Sequence, residues 1–205
     1  MDEDFDFFLS TFGPGYDRRY VPPSTIDRYR GKLPDQLLTY WETYGWCGYA
    51  EGAFWTVNPQ EYESVVGEWL KGRKLGGGDV YHVIARSAFG TLYLWGEQSG
   101  YSLKISSVDA YYIRRVPIST GDQFDFGVRC FFSGLTVKSN DYENLFDVAK
   151  NKLGRLHEGE MYGFTPALAL GGQSTLARIE KVNAVEHLTF LSQVSELEEL
   201  IIPKI

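Results

Sequence analysis

Residues 33–59, LPDQLLTYWETYGWCGYAEGAFWTVNP, carry three of the five tryptophans and three tyrosines around a helix-to-hairpin pattern that decides the fold. Leu33-Pro34 opens a helix, since proline fixes φ where the first amides lack partners in any case. Leu37, Leu38, Tyr40 and Trp41 then recur at helical spacing, and Gly45 stops the helix where a left-handed residue is cheap. Two short strands around Ala50-Glu51-Gly52 form a hairpin. Asn58-Pro59-Gln60-Glu61 supplies an N-cap, a first-turn proline and an acid at the third helical position, so a second helix runs through Val65, Val66, Trp69 and Leu70. A module this aromatic suits core packing first and partner recognition second.

Working outward, Phe5, Phe7, Phe8, Leu9 and Phe12 make a short apolar helix ended by Gly13-Pro14-Gly15, and another short helix is expected near 24–29. The glycine-rich stretch 71–78, KGRKLGGG, reads as a linker. Three strand-like runs follow, 80–85, 91–95 and 101–105, separated by turn residues as in an antiparallel meander, with 111–115 as a fourth. The fold class is therefore α+β, with helices packed on an antiparallel meander and then a smaller mixed α/β C-terminal part. Residues 117–121, PISTG, mark a boundary between domains 1–116 and 117–205. Beyond it, Phe124, Val128, Phe131 and Phe132 predict a helix despite Gly127, which costs roughly 1 kcal/mol in a helix interior. A helix over 141–153, a strand over 161–164 and helical spacing through 175–200 complete the reading.

The 205 residues are 43% hydrophobic and 16% aromatic, which excludes a disordered chain. No apolar run is long enough to span a bilayer, and the opening MDEDFDFFLS is acidic where a secretory signal is basic, so a cytoplasmic protein is expected. Cys47 and Cys130 stand far apart among aromatics, as buried reduced thiols do. The net charge of −7 sits wholly before residue 71, where twelve acids face five bases. Such a front half repels nucleic acid and attracts basic partners; its blander use is solubility.

Chemistry has little to build on. His82, His157 and His187 are never paired at metal-ligand spacing, and Ser99 and Ser174 lack a nucleophile elbow. Gly76-Gly77-Gly78 is followed by no lysine and makes no phosphate loop. No metal, no cofactor and no catalysis are expected. Of Trp46, Tyr49, Trp55, Trp95 and Tyr101, each near a turn, core burial is the commoner fate of any one. The hairpin tip, with Tyr49 and Glu51, is where recognition residues tend to sit.

Three stretches, LPDQLLTYWETYGWCGYAEGAFWTVNPQEY, DVYHVIARSAFGTLYLWGE and LFDVAKNKLGRLHEGEMYGFTPALALGG, resemble bacterial proteins with a GAD-like domain followed by a Tdi1-type C-terminal domain. That resemblance implies an immunity protein that binds a cognate type VI secretion DNase effector without chemistry of its own; from charge and hydropathy, no contact with nucleic acid or membrane is expected. The partner contacts expected are Glu51 and Tyr49, then Asp35, Glu42 and Trp55. A small-molecule or peptide-binding regulatory module is the alternative, and a hydrolase with paired acids a third reading. Elemental analysis of the desalted protein should find zinc well below one equivalent; stoichiometric zinc would contradict the reading.

Overall fold

The computed structural model describes residues 2–73, 75, 78–116 and 121–201. Three residues of the linker, Lys74, Gly76 and Gly77, and residues 117–120 of the PISTG boundary lie outside the described residues. The Asp2 carboxylate accepts from the Asp4 amide and starts α1 (Glu3–Phe12), which turns Phe5, Phe8 and Phe12 inward. Next come β1 (Tyr16–Arg19), α2 (Pro23–Tyr29) and α3 (Asp35–Tyr44). α3 buries Leu37, Leu38, Tyr40 and Trp41 and stops at Gly45 with φ of 73°, as its spacing predicts. The hairpin is β2 (Trp46–Tyr49) and β3 (Phe54–Thr56). Asn58 accepts from the Gln60 amide, and a 3₁₀ turn leads into α4 (Glu63–Trp69).

The meander follows as β4 (Tyr81–Ser87), β5 (Thr91–Gly96), β6 (Gly100–Ser106) and β7 (Tyr111–Arg114). The rest of the chain forms α5 (Phe124–Ser133), α6 (Val137–Asn140), α7 (Phe146–Leu153), β8 (Glu160–Phe164), β9 (Ile179–Asn183), α8 (Ala184–Val194) and β10 (Glu198–Glu199). One eight-stranded sheet runs in the order β1-β2-β3-β4-β5-β6-β7-β10, and β8 and β9 pair separately. Neighbours in the large sheet are antiparallel except β10, which lies parallel to β7 with Glu198 opposite Tyr111.

Both faces of this sheet are covered. Side chains alternate along a strand, so Leu92 and Leu94 of β5 join Val83, Leu103 and Ile105 in one core while Tyr93 and Trp95 join Ile84 and Phe54 in the other. The first core is closed by α4, α7, α8 and the β8–β9 hairpin, through Val65, Trp69, Ala149, Tyr162 and Leu188. The second is closed by α1, α2, α3 and α5, through Phe5, Phe8, Tyr29, Trp41 and Phe132. Residues after 120 therefore contribute to both layers. Phe132 of α5 meets Phe5 edge-on at 5.1 Å, and the Trp69 indole donates to the Leu188 carbonyl at 3.1 Å. Gly90 turns β4 into β5 with φ of 77°, a conformation that strains any residue with a side chain, and a Cβ there would lie 2.6 Å from the Ser107 hydroxyl.

Two expectations are corrected. The helix expected over 141–153 begins only at Phe146, because Glu143 and Asn144 take positive φ and the Asp141 carboxylate caps the Phe146 amide at 2.8 Å. Helical spacing through 175–200 resolves into a 3₁₀ turn, β9, α8 and β10. Ile179 and Val182, three apart, lie on a strand paired with β8, and the helix starts where Asn183 caps the Glu186 amide.

Trp41 is 1% exposed and packs edge-on against Tyr29 and Trp46 at 5.8 Å. Trp41→Ala should cost roughly 3–5 kcal/mol of unfolding free energy in urea melts. Thr39→Ala, on the solvent face of the same helix, should stay within about 0.5 kcal/mol.

Candidate functional site: an acidic helical face

Two of the aromatic residues expected to meet a partner are core. Tyr49 is 1% exposed, edge-on to Phe8 at 4.9 Å, and burial pushes its phenol pKa up. Trp55 is 2% exposed, and its indole donates to the Gly52 carbonyl at 3.0 Å. Both lie beneath the surface in this conformation, as do Trp46 and Trp95. Alternation in a sheet covered on both faces buries either side chain of a neighbouring pair, so nearness to a turn gave them no exposure.

Glu51 does stand at the surface, at the tip of the hairpin, in a left-handed conformation with φ of 56°. Its carboxylate meets the Lys150 ammonium at 2.5 Å, and this hydrogen bond holds the Lys150 pKa above its usual range. Asp147 completes the cluster at 3.1 Å from the same ammonium. The charge of Glu51 thus already faces a cation of α7.

The same test sorts the other acids of the front half. Arg19 is clamped between Glu61 at 2.6 Å and Glu158 at 2.7 Å, with its guanidinium 4.7 Å over the Trp46 ring. Glu63 pairs with Arg28, Asp27 with Arg30, Glu68 with Lys71, Asp17 with His157, and Asp4 more loosely with Arg129. Among the described residues, Asp2, Glu3, Asp6, Asp35 and Glu42 keep no cation, although the Asp2 carboxylate accepts from the Tyr40 hydroxyl. All five belong to the start of α1 or to α3, and the two helices stack through Phe5 and Tyr44 at 4.5 Å.

Asp35 and Glu42 are both exposed and lie seven residues apart on α3, about 10 Å along one side of the helix at 1.5 Å per residue. Near Asp35 the surface dips into a depression of about 370 Å³ that also brings in Glu97, Asp122 and Asp125, against Lys32. The Asp125 carboxylate accepts from the Gln36 amide at 2.9 Å, fixing the first turn of α3 to α5. Asp122 and Asp125 were missed in the sequence because they fall in its charge-balanced part. Only folding carries them to the acidic helix. The arrangement offers oriented carboxylates on a rigid helical layer, which suits cationic side chains of a partner.

His82 is buried against Glu97, with Nε2 2.8 Å from the carboxylate, and burial lowers the His187 pKa. Among the described residues, no three His, Cys, Asp or Glu side chains converge as metal ligands. No helix among them is long and apolar enough to cross a membrane.

Residues 3–109 match the GAD-like domain family, and residues 125–195 match the C-terminal region of the T6SS immunity protein Tdi1. No curated protein matches the sequence. The chain is similar in structure to that reported as the crystal structure of Atu4351 from Agrobacterium tumefaciens, with a TM-score of 0.85 over 97% of this chain and 94% of that one. At 23% identity the likeness shows a shared fold.

The Glu51–Lys150 pair makes charge reversal at the hairpin tip a test of folding as well as of contact. The Glu51 side chain is 66% exposed, so Glu51→Gln should cost under about 1 kcal/mol of stability. Glu51→Lys, which sets two ammonium groups together, should cost more than Glu51→Gln in paired thermal melts. Equal melting temperatures for the two variants would show that the ion pair does not hold in solution.

Proposed function

The chain belongs to the GAD-like domain family, and from that membership and the Tdi1 match behind it we propose that the protein is an immunity protein that binds and neutralises a cognate type VI secretion DNase effector. The match over 125–195 to an immunity protein carries the proposal. The acidic face of α1 and α3 supports a basic partner, since a nuclease must present Lys and Arg to DNA phosphates. An acidic inhibitor competes for that same surface and gains association rate and specificity from it. The protein then acts by binding alone, in the cytoplasm, where the threatened DNA lies. Asp35 and Glu42 are the contacts expected first. Glu51 joins them only if the effector displaces Lys150.

Cells expressing the cognate type VI secretion DNase effector should survive when the chain is coexpressed. Death at an undiminished rate, with both proteins folded, would overturn the proposal. For the isolated pair, the double variant Asp35→Asn/Glu42→Gln should slow association more than it speeds dissociation. Its effect should fade as salt rises from 0.1 M to 1 M and screening shortens from about 10 Å to about 3 Å. Identical association rates for variant and wild type at low salt would remove this face from the interface.

A further inference from the structure

A second feature lies on the inner side of α5 and is independent of the acidic face. Between that helix and the sheet is a cavity of about 260 Å³ walled by Tyr93, Tyr101 and Phe131, with Lys104 and Arg115 at its polar side and Gly127 on the helix. The sheet builds the wall by register. Tyr93 pairs directly with Lys104 across β5 and β6, and a bulge between Leu94 and Trp95 brings Tyr101 opposite Trp95. Phe131 meets Tyr101 edge-on at 4.8 Å and Tyr93 at 5.6 Å, so the rings form one continuous apolar surface.

The charges are what the fold leaves unexplained. The Lys104 ammonium sits 5.7 Å over the Tyr93 ring and the Arg115 guanidinium 5.1 Å over the Tyr101 ring. Arg18, Arg86 and Lys152 donate to backbone carbonyls instead, but Arg19, Arg28, Arg30 and Arg114 each have a carboxylate partner. Among the described residues, neither Lys104 nor Arg115 has one. Two cations brought together beside a cavity repel each other, and in a chain of net charge −7 acids to offset them are plentiful. Burial first, and Arg115 second, lower the Lys104 pKa.

Gly127 is the independent observation. A glycine inside a helix costs roughly 1 kcal/mol relative to alanine, and this one is buried with its bare backbone lining the cavity. We infer that this cavity is a binding site for a small anion carrying a flat apolar ring, its carboxylate or phosphate held by Lys104 and Arg115 and its ring laid against Tyr101 and Phe131. The volume is just under the roughly 300–1,000 Å³ typical of drug-sized sites, so the ligand is of about one ring.

Isothermal titration of the full chain with phenyl phosphate and with benzoate tests the inference. At least one should bind with a Kd below about 1 mM, and the tighter of the two identifies the head group. Inorganic phosphate and benzyl alcohol, each lacking one half of the ligand, should bind at least about tenfold more weakly. Lys104→Met removes one of two repelling cations and should fold as well as wild type while losing about tenfold or more in affinity. No heat from either ring-bearing anion up to about 10 mM would overturn the inference. So would unchanged affinity in Lys104→Met with wild-type melting.

Discussion

Leu92, Tyr93, Leu94 and Trp95 send large apolar side chains alternately to the two faces of the sheet, and that alternation leaves neither face fit for water. A sheet of this kind must be covered twice. The helices before residue 70 cannot cover it alone, because α1, α2 and α3 close one face and only α4 reaches the other. The segment after 120 supplies the missing cover, with α5 on the face of α1, α2 and α3, and α7, α8 and the β8–β9 hairpin beside α4 on the other. Separate sequence families thus describe two lengths of chain that share both hydrophobic cores.

Arg86 shows how tightly the second cover is fixed. Its side chain is 1% exposed and meets no carboxylate; it donates to the Tyr62 hydroxyl, the Ser87 carbonyl and, at 2.7 Å, the Glu160 carbonyl, and lies over Trp55 at 5.3 Å. Burying a guanidinium is costly unless its donors are met, and here one acceptor comes from β8. The Tyr162 amide adds a bond to the Ala88 carbonyl at 2.9 Å. Polar groups of the meander are therefore satisfied only with the hairpin in place.

Local signals in the sequence were legible wherever one strong pattern acted alone. Pro34, the spacing of Leu37, Leu38 and Trp41, and Gly45 defined α3, and Asn58-Pro59 defined the approach to α4. Spacing misled where strand and helix patterns coincide over a few residues, as at Ile179 and Val182. Glu51 could be placed on a turn, but its pairing with Lys150, 99 residues on, is a property of the tertiary fold. The same limit hid Asp122 and Asp125 from the acidic face and Lys104 and Arg115 from the cavity, because each acquires its meaning from residues remote in the chain. Gly127 was visible as a defect in a helix. That it lines a cavity is a property of the tertiary fold.

The proposed role requires this acidic, doubly covered scaffold to disarm a nuclease by occupying it. DNA cleavage by the purified effector nuclease, followed as the intact protein is titrated in, measures this directly. Activity should fall linearly to near zero at one equivalent, at nuclease concentrations well above the dissociation constant. Cleavage that continues undiminished with the protein in large excess would contradict it.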